Sequence, residues 1–325
     1  MPAANAASTT TTVSQVIKNR FYDELFLTVA ESNLVYKQTG QRDRKIPEGQ
    51  GGYGTGVVYW TRFLNLTKVT AGQGEGVPTT AVSMSAVNVT GTTAQYDNAV
   101  SISDILAYTS FGDIMKAAME RLAYNAGVSI DNIIRDTVSL SGTFQGTGGV
   151  TNGAAWTSIP ATATFTITEL RRSARTLGRN AAQRPDGGNF IVVLHNDVLY
   201  DIQADTSTGG WIDANKYTND NAMKLMSGEE GKLLGHRFLV TPEGKVRGTG
   251  VATSGSVYVS NIFAKDATGI TDLQNLKTYV KGFESGGTSD PTEKVATAGW
   301  KTTMGAAMLD STFYLAVHSA VSSTA

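Results

Sequence analysis

The feature that most constrains this fold is a long amphipathic segment in the first half of the chain. Between Phe111 and Ser139, apolar residues return at every fourth position. The stripe consists of Ile114, Ala118, Leu122, Ala126, Ile130, Ile134 and Val138. This spacing forms a continuous apolar stripe along an α-helix about 44 Å long, which follows a capping-box pattern of Ser110 and Asp113. The sequence therefore predicts an elongated molecule built on one long helix.

A β-hairpin is predicted before this helix. Its first strand alternates between two faces, with Val57, Tyr59, Thr61 and Phe63 on one and Val58, Trp60 and Arg62 on the other. β-branched and aromatic residues dominate both faces, and a glycine-rich turn leads to a returning strand within residues 81–100. Because an isolated two-stranded ribbon is unstable in water, we expect it to lie on its own domain or on another chain.

Helices and strands are mixed along the rest of the chain, which predicts an α+β fold. Helices are expected between Phe21 and Tyr36, after a second capping box of Thr166 and Glu169, after a cap at His195 or Asn196, and near residues 220–226. Strands are expected at Phe190–Leu194, His236–Thr241, Val257–Ala264, Leu276–Glu284 and Phe313–His318.

The composition excludes several classes of site. The 325 residues contain no cysteine, which rules out disulfides, thiolate metal sites and a cysteine nucleophile. The net charge of −1 gives no strong field towards nucleic acid or an anionic membrane.

No apolar run approaches the ~20 residues that span a bilayer. The Ser-, Thr- and Ala-rich start of the chain lacks a signal-peptide pattern and is predicted to be a flexible arm.

The stretch MSGEEGKLLGH at residues 226–236 superficially suggests a phosphate-binding loop. A Walker loop has four residues between its first Gly and the Gly-Lys pair, which Ser or Thr then follows. Here two glutamates separate Gly228 from Gly231, and Leu233 stands in place of the hydroxyl residue. We therefore predict no nucleotide site and interpret Gly228, Gly231 and Gly235 as turn glycines before a strand.

No catalytic or metal site emerges from the residue pattern. The three histidines are His195, His236 and His318, and only His195 has a carboxylate close in sequence, Asp197. A zinc site would need further ligands at helix or hairpin spacing, and no Gly-x-Ser-x-Gly elbow is present. An enzyme that acts through His195 with Asp197 or Asp201 is therefore the weaker hypothesis, and neither a metal nor a cofactor is predicted.

Several stretches are informative as an ordered set. They are AQYDNAVSISDILAYTSFGDI, AGVSIDNIIRDTV, TITELRRSARTLGRNAAQ, NFIVVLHNDVLYDIQADT, GGWIDANKYTN and MSGEEGKLLGHRFLVT. Their order and spacing, from about Ala94 to Thr241, resemble the major capsid proteins of tailed bacteriophages, which have the HK97-type fold. The chain looks most similar to the branch found in schitovirus-like podoviruses and many uncultured marine phages.

The resemblance implies a division of the chain into five parts. Residues 1–48 would be the N-terminal arm, and residues 49–97 an extended E-loop hairpin that reaches over an adjacent subunit. Residues 98–185 would form the peripheral domain with its spine helix, and residues 186–275 the axial domain. Residues 276–325 would return as strands to the peripheral domain.

The resemblance also implies a structural, non-enzymatic function in the virion. The chain would self-assemble as hexamers and pentamers into the icosahedral head that encloses a phage double-stranded DNA genome, in the host bacterial cytoplasm. Its partners would be itself, the portal and packaged DNA held non-specifically on the inner face, with scaffolding and cement proteins as further candidates and no membrane. The alternative is a tail or fibre protein that binds a glycan, which the long helix and the lack of repeats disfavour.

The candidate contacts between subunits lie on the hairpin and on charged helix positions. An isolated hairpin needs a partner, although Trp60 could instead pack under its own domain. An arginine face is more often solvated than bound to phosphate or to a neighbour. The full candidate set is Trp60, Arg62, Phe63, Asp104, Asp113, Arg172, Arg175 and Arg179.

Overall fold

The structure, a computed structural model, consists of two β-sheets with helices packed on them and a two-stranded β-hairpin. It describes residues 24–30, 34–42, 56–72, 74–76, 78–110, 112–139, 143–150, 156–185, 188–205, 211, 229–249, 256–283 and 291–322. Among these residues, no helix combines the length and the apolar character needed to cross a membrane. The predicted helix near residues 220–226 lies outside the described residues.

The helices and strands fall in a mixed order along the chain. The helices are α1 (residues 24–30), α2 (Asp104–Thr109), α3 (Ile114–Ser139), α4 (Ile167–Arg179) and α5 (Asn196–Ala204), with 3-10 turns at Tyr36–Gln38 and Trp156–Ser158. The strands are β1 (Gln41–Arg42), β2 (Val57–Phe63), β3 (Ala86–Thr92), β4 (Ala94–Ser103), β5 (Thr143–Gly146), β6 (Phe190–Leu194), β7 (Glu229–Leu233), β8 (His236–Val240), β9 (Val246–Thr249), β10 (Ser256–Phe263), β11 (Thr268–Lys281), β12 (Val295–Met308) and β13 (Tyr314–Ser319).

The larger sheet has seven strands. Six of its strands lie in the order β5-β13-β10-β6-β8-β7, and the seventh strand, β9, pairs with β10. The pairs β6–β8 and β5–β13 are parallel, and the others are antiparallel. One face is covered by α4 and α5 through a cluster that includes Leu170, Leu177, Phe190, Val198 and Val317. β6 is buried along its whole length, which explains its unbroken apolar run.

The long helix α3 joins this sheet to a four-stranded sheet with the order β1-β11-β12-β4. Its first half packs on the four-stranded sheet, where the buried residues are Met119, Leu122, Ala123, Ala126, Ala298 and Trp300. Its second half packs on the other face of the seven-stranded sheet, where the buried residues include Ile130, Ile134, Val138, Ile191, Val193 and Ala316. The predicted apolar stripe therefore serves two sheets in succession.

Neither predicted capping box forms in the structure, although α4 begins at Ile167 as expected. α3 begins at Ile114, and its cap is Asp113 alone, which accepts a hydrogen bond from the Lys116 N–H at 3.1 Å, while Ser110 bonds Gly112. With 26 residues, α3 is about 39 Å long. The second capping box does not form either, although Thr166 is the N-cap residue of α4 by position. Instead, the Asp205 carboxylate accepts from the first backbone N–H of α4 at 3.1 Å.

The strand predictions are mostly confirmed, with β11 as the main exception. β11 begins at Thr268, eight residues before the predicted start at Leu276. Its polar first half is held in the sheet by β12 on one side and by β1 on the other. Tertiary pairing thus overrides a weak local β signal.

The predicted domain division stays a prediction, but strand pairing divides two of its segments. The hairpin β2–β3 ends at Thr92, and β4, which begins at Ala94, belongs to the four-stranded sheet. In the segment 276–325, β12 lies in the four-stranded sheet and β13 in the seven-stranded sheet. The last strand therefore packs with the segment that was expected to be axial.

Candidate subunit interface

The inner face of the hairpin β2–β3 packs on its own chain. Trp60 is 5% exposed and lies with Val58 against Ala307 of β12. A Cβ atom placed on Gly91 or Gly269 would stand 2.5 Å or 2.9 Å from the indole ring. The two glycines therefore make room for Trp60, which takes the intramolecular role that the sequence left as the alternative.

Arg62 also holds the inner face to the same chain. Its guanidinium forms an ion pair with Asp310, just after β12, and lies 6.0 Å from the ring centroid of Phe313. The Asp310 carboxylate also accepts hydrogen bonds from the backbone and hydroxyl of Thr312. The turn at Asp310 is thus ordered by its own hydrogen bonds, and it pairs with Arg62. The positive charge of Arg62 is therefore largely neutralised within the same chain.

The outer face of the hairpin carries large apolar side chains in solvent. Tyr59 is 64% exposed and Phe63 is 61% exposed, and the chain beyond the paired strands continues the pattern. We call this set the ribbon surface: Tyr59, Phe63, Leu64, Leu66, Val69, Val82 and Met84. Contiguous exposed apolar side chains on a soluble protein mark an interaction site. Phe63 is the predicted candidate that this surface contains.

A second apolar patch lies on the short helix α2. Ile105 is 70% exposed and Tyr108 is 85% exposed, with Leu106 between them. Ser103 caps this helix, and the Asp104 backbone N–H donates to the Lys294 carbonyl at 2.9 Å. Hydrogen bonds at the start of α2 thus hold the helix in place, while its apolar side chains face outwards.

The candidates Asp104 and Asp113 have local roles at helix starts. The Asp104 carboxylate accepts from the Ile105 N–H at 2.7 Å, and Asp113 caps α3. Carboxylates at these positions also interact favourably with the helix dipole. The structure brings neither of them to the ribbon surface, and their contact with a neighbouring subunit stays a prediction.

The three candidate arginines of α4 differ in how far they are engaged. Arg172 donates to the Gly146 carbonyl at 3.0 Å and to the Glu169 carboxylate at 3.3 Å, so it braces α4 against β5. Arg175 and Arg179 are exposed on the same helix. Of the three, these two have side chains available for a neighbouring subunit or for phosphate.

The histidine and aspartates of the weaker enzyme hypothesis have structural roles. His195 Nδ1 accepts from the Asp197 N–H at 3.2 Å and so caps α5, as predicted. Burial, together with the hydrogen bond to Asp197, raises the pKa of Tyr258 to about 12. Asp201 accepts from the backbone and hydroxyl of Ser322 and ties down the end of the chain. The described residues contain no cluster of three metal-ligating side chains.

The stretch that resembles a phosphate loop is a β-hairpin. Gly231 lies inside β7, and the turn consists of Leu234 and Gly235, which both have positive φ angles. Two such residues form the kind of tight turn that connects antiparallel strands. Gly235 is therefore a turn glycine as predicted, Gly231 is not, and Gly228 lies outside the described residues.

Sequence reasoning missed most of the ribbon surface and the whole α2 patch. The sequence predicts the first strand as far as Val69, but β2 ends at Phe63, and Leu64, Leu66 and Val69 stand in a region without regular structure. The available signal was large apolar residues in a segment with few charges. Such residues have no reason to be in a loop unless something covers them.

Comparison with solved structures shows that this fold occurs in phage capsids. The capsid of Ralstonia phage GP4 aligns with a TM-score of 0.67 at 10% identity, over 83% of this chain and 85% of that chain. A chain from Mycobacterium phage Che8 aligns with a TM-score of 0.56 at 16% identity, over 87% and 90%. The capsid asymmetric unit of cyanophage Pam1 gives a TM-score of 0.57 at 15% identity, over 82% and 86%.

Comparison at the level of sequence finds nothing similar. No family profile matches the chain, and no curated protein matches it. The structural likeness therefore establishes the fold, and the expected HK97-type α+β fold of phage capsid proteins is confirmed. The particular phage branch stays a prediction.

Proposed function

We propose that this chain is the major capsid protein of a tailed bacteriophage. It assembles as hexamers and pentamers into an icosahedral head around double-stranded DNA. The observation that carries this proposal is the fold shared with several phage capsid chains over more than four fifths of both chains in each pair. A likeness over that length extends far beyond a single motif.

The ribbon surface supports the proposal because it needs a partner. The inner face of the hairpin is already fixed to β12 by Trp60 and to Asp310 by Arg62, so the hairpin is presented in one orientation with the ribbon surface outwards. A prepositioned apolar face loses little entropy when it binds. The partner we propose is a neighbouring copy of this chain, with Phe63 among the contacting residues and the α2 patch as a second contact.

The charge balance also supports a shell. With 27 basic and 28 acidic side chains the chain can enclose DNA without binding it tightly. Exposed Arg175 and Arg179 are available for non-specific phosphate contacts on the inner face. We assign no catalytic role, and we place the portal, scaffolding and cement proteins as partners and the host cytoplasm as the assembly site within the same proposal.

Variants of the ribbon surface test the proposal directly. We would change Phe63 and Leu66 together to Ser, express the full chain beside the wild type, and measure particle mass by light scattering and electron microscopy. Both side chains are exposed, 61% and 58%, so the unassembled fold should unfold at the same urea concentration. The wild type should form capsomers, tubes or shells, and the variant should remain unassembled.

Tyr200→Ser is the matched control. Tyr200 is 67% exposed on α5, far in sequence from the ribbon surface. This variant should assemble like the wild type if the ribbon surface has a specific partner. Equal assembly of the ribbon variant and the wild type would refute the role of the ribbon surface. A wild type that forms no capsomers, tubes or shells would instead favour the glycan-binding fibre protein.

A further inference from the structure

Residues 34–42 form a short strap that ties α3 to the four-stranded sheet. Tyr36 is fully buried in the cluster between α3 and the seven-stranded sheet, and its hydroxyl accepts from Asn261 at 3.0 Å. The Lys37 ammonium pairs with Asp272 of β11 at 3.0 Å. The strap ends in β1, which pairs in parallel with residues 269–270 of β11.

One buried carboxylate on α3 holds the centre of this strap. Asp131 is 1% exposed, and its Oδ1 accepts from the Tyr36 N–H at 2.7 Å and from the Lys37 N–H at 3.3 Å. The Val35 N–H also bonds this carboxylate. The carboxylate thus caps the 3-10 turn at Tyr36–Gln38 from outside, since Val35 provides no side-chain cap.

The nearby cations are engaged elsewhere. Arg135, one turn further along α3, donates to the Asp136 carboxylate at 3.0 Å and also to the Glu243 carbonyl. Lys245, after β8, pairs with Asp136 at 2.9 Å. On the strap itself, Lys37 faces Asp272.

Of the charged groups around the strap, Lys37 is therefore paired with Asp272, and Arg135 and Lys245 share Asp136, while the Glu243 carboxylate accepts a hydrogen bond from Asn132. The neutral Tyr36 phenol is the remaining titratable group beside Asp131, and burial raises its pKa well above the ordinary value. No direct cation partner of Asp131 is found among the described residues. An ionised Asp131 would be a buried charge that is stabilised by backbone N–H groups and by the nearby charge of Arg135, without a direct ion pair.

We propose that residues 34–42 act as a proton-dependent latch on α3, which protonated Asp131 holds closed and ionised Asp131 loosens. A protonated carboxyl group still accepts the Tyr36 and Lys37 N–H bonds through Oδ1, so the closed geometry is compatible with the neutral form. Opening the strap would expose Asp131 to water, where the charged form is stable. This device goes beyond the shell function and does not depend on it.

The electrostatics of Asp131 support this direction. Burial is the largest influence and raises its pKa to about 7, against the opposing effect of the backbone hydrogen bonds. Because the closed state has the raised pKa, closing is favoured at low pH and weakens as the pH rises to about 7. The closing equilibrium should change about tenfold per pH unit in that range, and it should be flat above pH 7.

Hydrogen–deuterium exchange of the unassembled full chain tests the latch. We would measure peptides that cover residues 34–42 from pH 5 to 8.5, correct for intrinsic exchange rates, and use a peptide from residues 122–130 of α3 as the internal reference. Relative protection of the strap should fall about 100-fold between pH 5 and pH 7 and then level off. A strap whose relative protection is constant over this range would overturn the proposal.

Two variants identify the responsible group. Asp131→Asn keeps an acceptor for the strap but cannot ionise, so its relative protection should not change with pH. Asp136→Asn is the matched control on the same helix, and it should keep the wild-type pH profile. A pH-dependent strap in Asp131→Asn, or loss of the dependence in Asp136→Asn alone, would assign the effect to another group and contradict the proposal. If Asp131→Asn does not fold, the wild-type series still decides.

Discussion

Replacement of Trp60 by Ala separates the two faces of the hairpin β2–β3. Trp60 points inwards to Ala307, Gly91 and Gly269 and is 5% exposed. Its neighbour Tyr59 points outwards and is 64% exposed. If the inner face belongs to the fold of the single chain, Trp60→Ala must destabilise the unassembled protein, whereas Tyr59→Ala must not.

The magnitude follows from the area that the indole buries. A Trp side chain of about 200 Å² at about 25 cal/mol per Å² gives about 5 kcal/mol, at the top of the range of about 3–5 kcal/mol for such truncations. The indole N–H, however, finds no acceptor among the described residues, so its removal relieves an unsatisfied donor. We therefore expect a loss of about 3 kcal/mol in the free energy of unfolding.

Urea unfolding of the unassembled chain measures this loss. Far-UV circular dichroism is the suitable signal, because the substitution removes a fluorophore. Trp60→Ala should unfold at a clearly lower urea concentration, and Tyr59→Ala should stay within about 0.5 kcal/mol of the wild type. A Trp60→Ala loss below about 1 kcal/mol would refute the intramolecular packing, and Trp60 would again be a candidate for contact with a neighbouring subunit.

Two other stability predictions concern a buried histidine and a pair of glycines. Burial lowers the pKa of His318 to about 3, with Arg247 adding to the effect, so the wild type should lose stability as the pH falls below about 6.5. His318→Leu should reduce that loss by about 1.4 kcal/mol per pH unit, as measured by urea unfolding at a series of pH values. An unchanged slope of the free energy of unfolding against pH would contradict this prediction. Gly235 has a φ of +76° and Gly178 lies in α4 with free space around it. Gly235→Ala should therefore lower the free energy of unfolding by about 1 kcal/mol or more, and Gly178→Ala should raise it by about 0.5–1 kcal/mol. Thermal unfolding measures both changes, and equal effects of the two substitutions would contradict the backbone argument.

The sequence predicted the elements whose signal is local and strong. The apolar stripe located α3, and the residues Leu122, Ala126, Ile130, Ile134 and Val138 are buried as expected. The continuous apolar run located β6 within its observed bounds. In α3 one periodicity recurs over many residues, and in β6 every residue is apolar, so both local signals outweigh competing preferences.

Elements whose conformation depends on distant partners could not be predicted in the same way. The first half of β11 is polar, and its strand conformation depends on pairing with β12. At the start of α3, Ser110 and Asp113 both had capping chemistry, and the choice between them depends on where α2 ends. Local sequence does not contain that information.

The candidate interface shows the same limit. Alternation correctly placed Trp60 and Phe63 on opposite faces of β2. It could not tell which face would meet the same chain, because the space for the indole comes from Gly91 and Gly269, and Gly269 lies far away in sequence. Similarly, the position of Arg172 on the helix face did not reveal its bond to the Gly146 carbonyl of β5.

The central claim is that this chain builds a shell through the outward face of its hairpin. Electron cryo-microscopy of the particles formed by the full-length chain, with a scaffolding protein co-expressed where one is required, tests it most directly. The account predicts closed shells of hexamers and pentamers in which Tyr59 and Phe63 are buried against a neighbouring subunit while Trp60 stays within its own. A chain that remains a monomer or trimer under these conditions, or a shell that leaves Tyr59 and Phe63 in solvent, would contradict it.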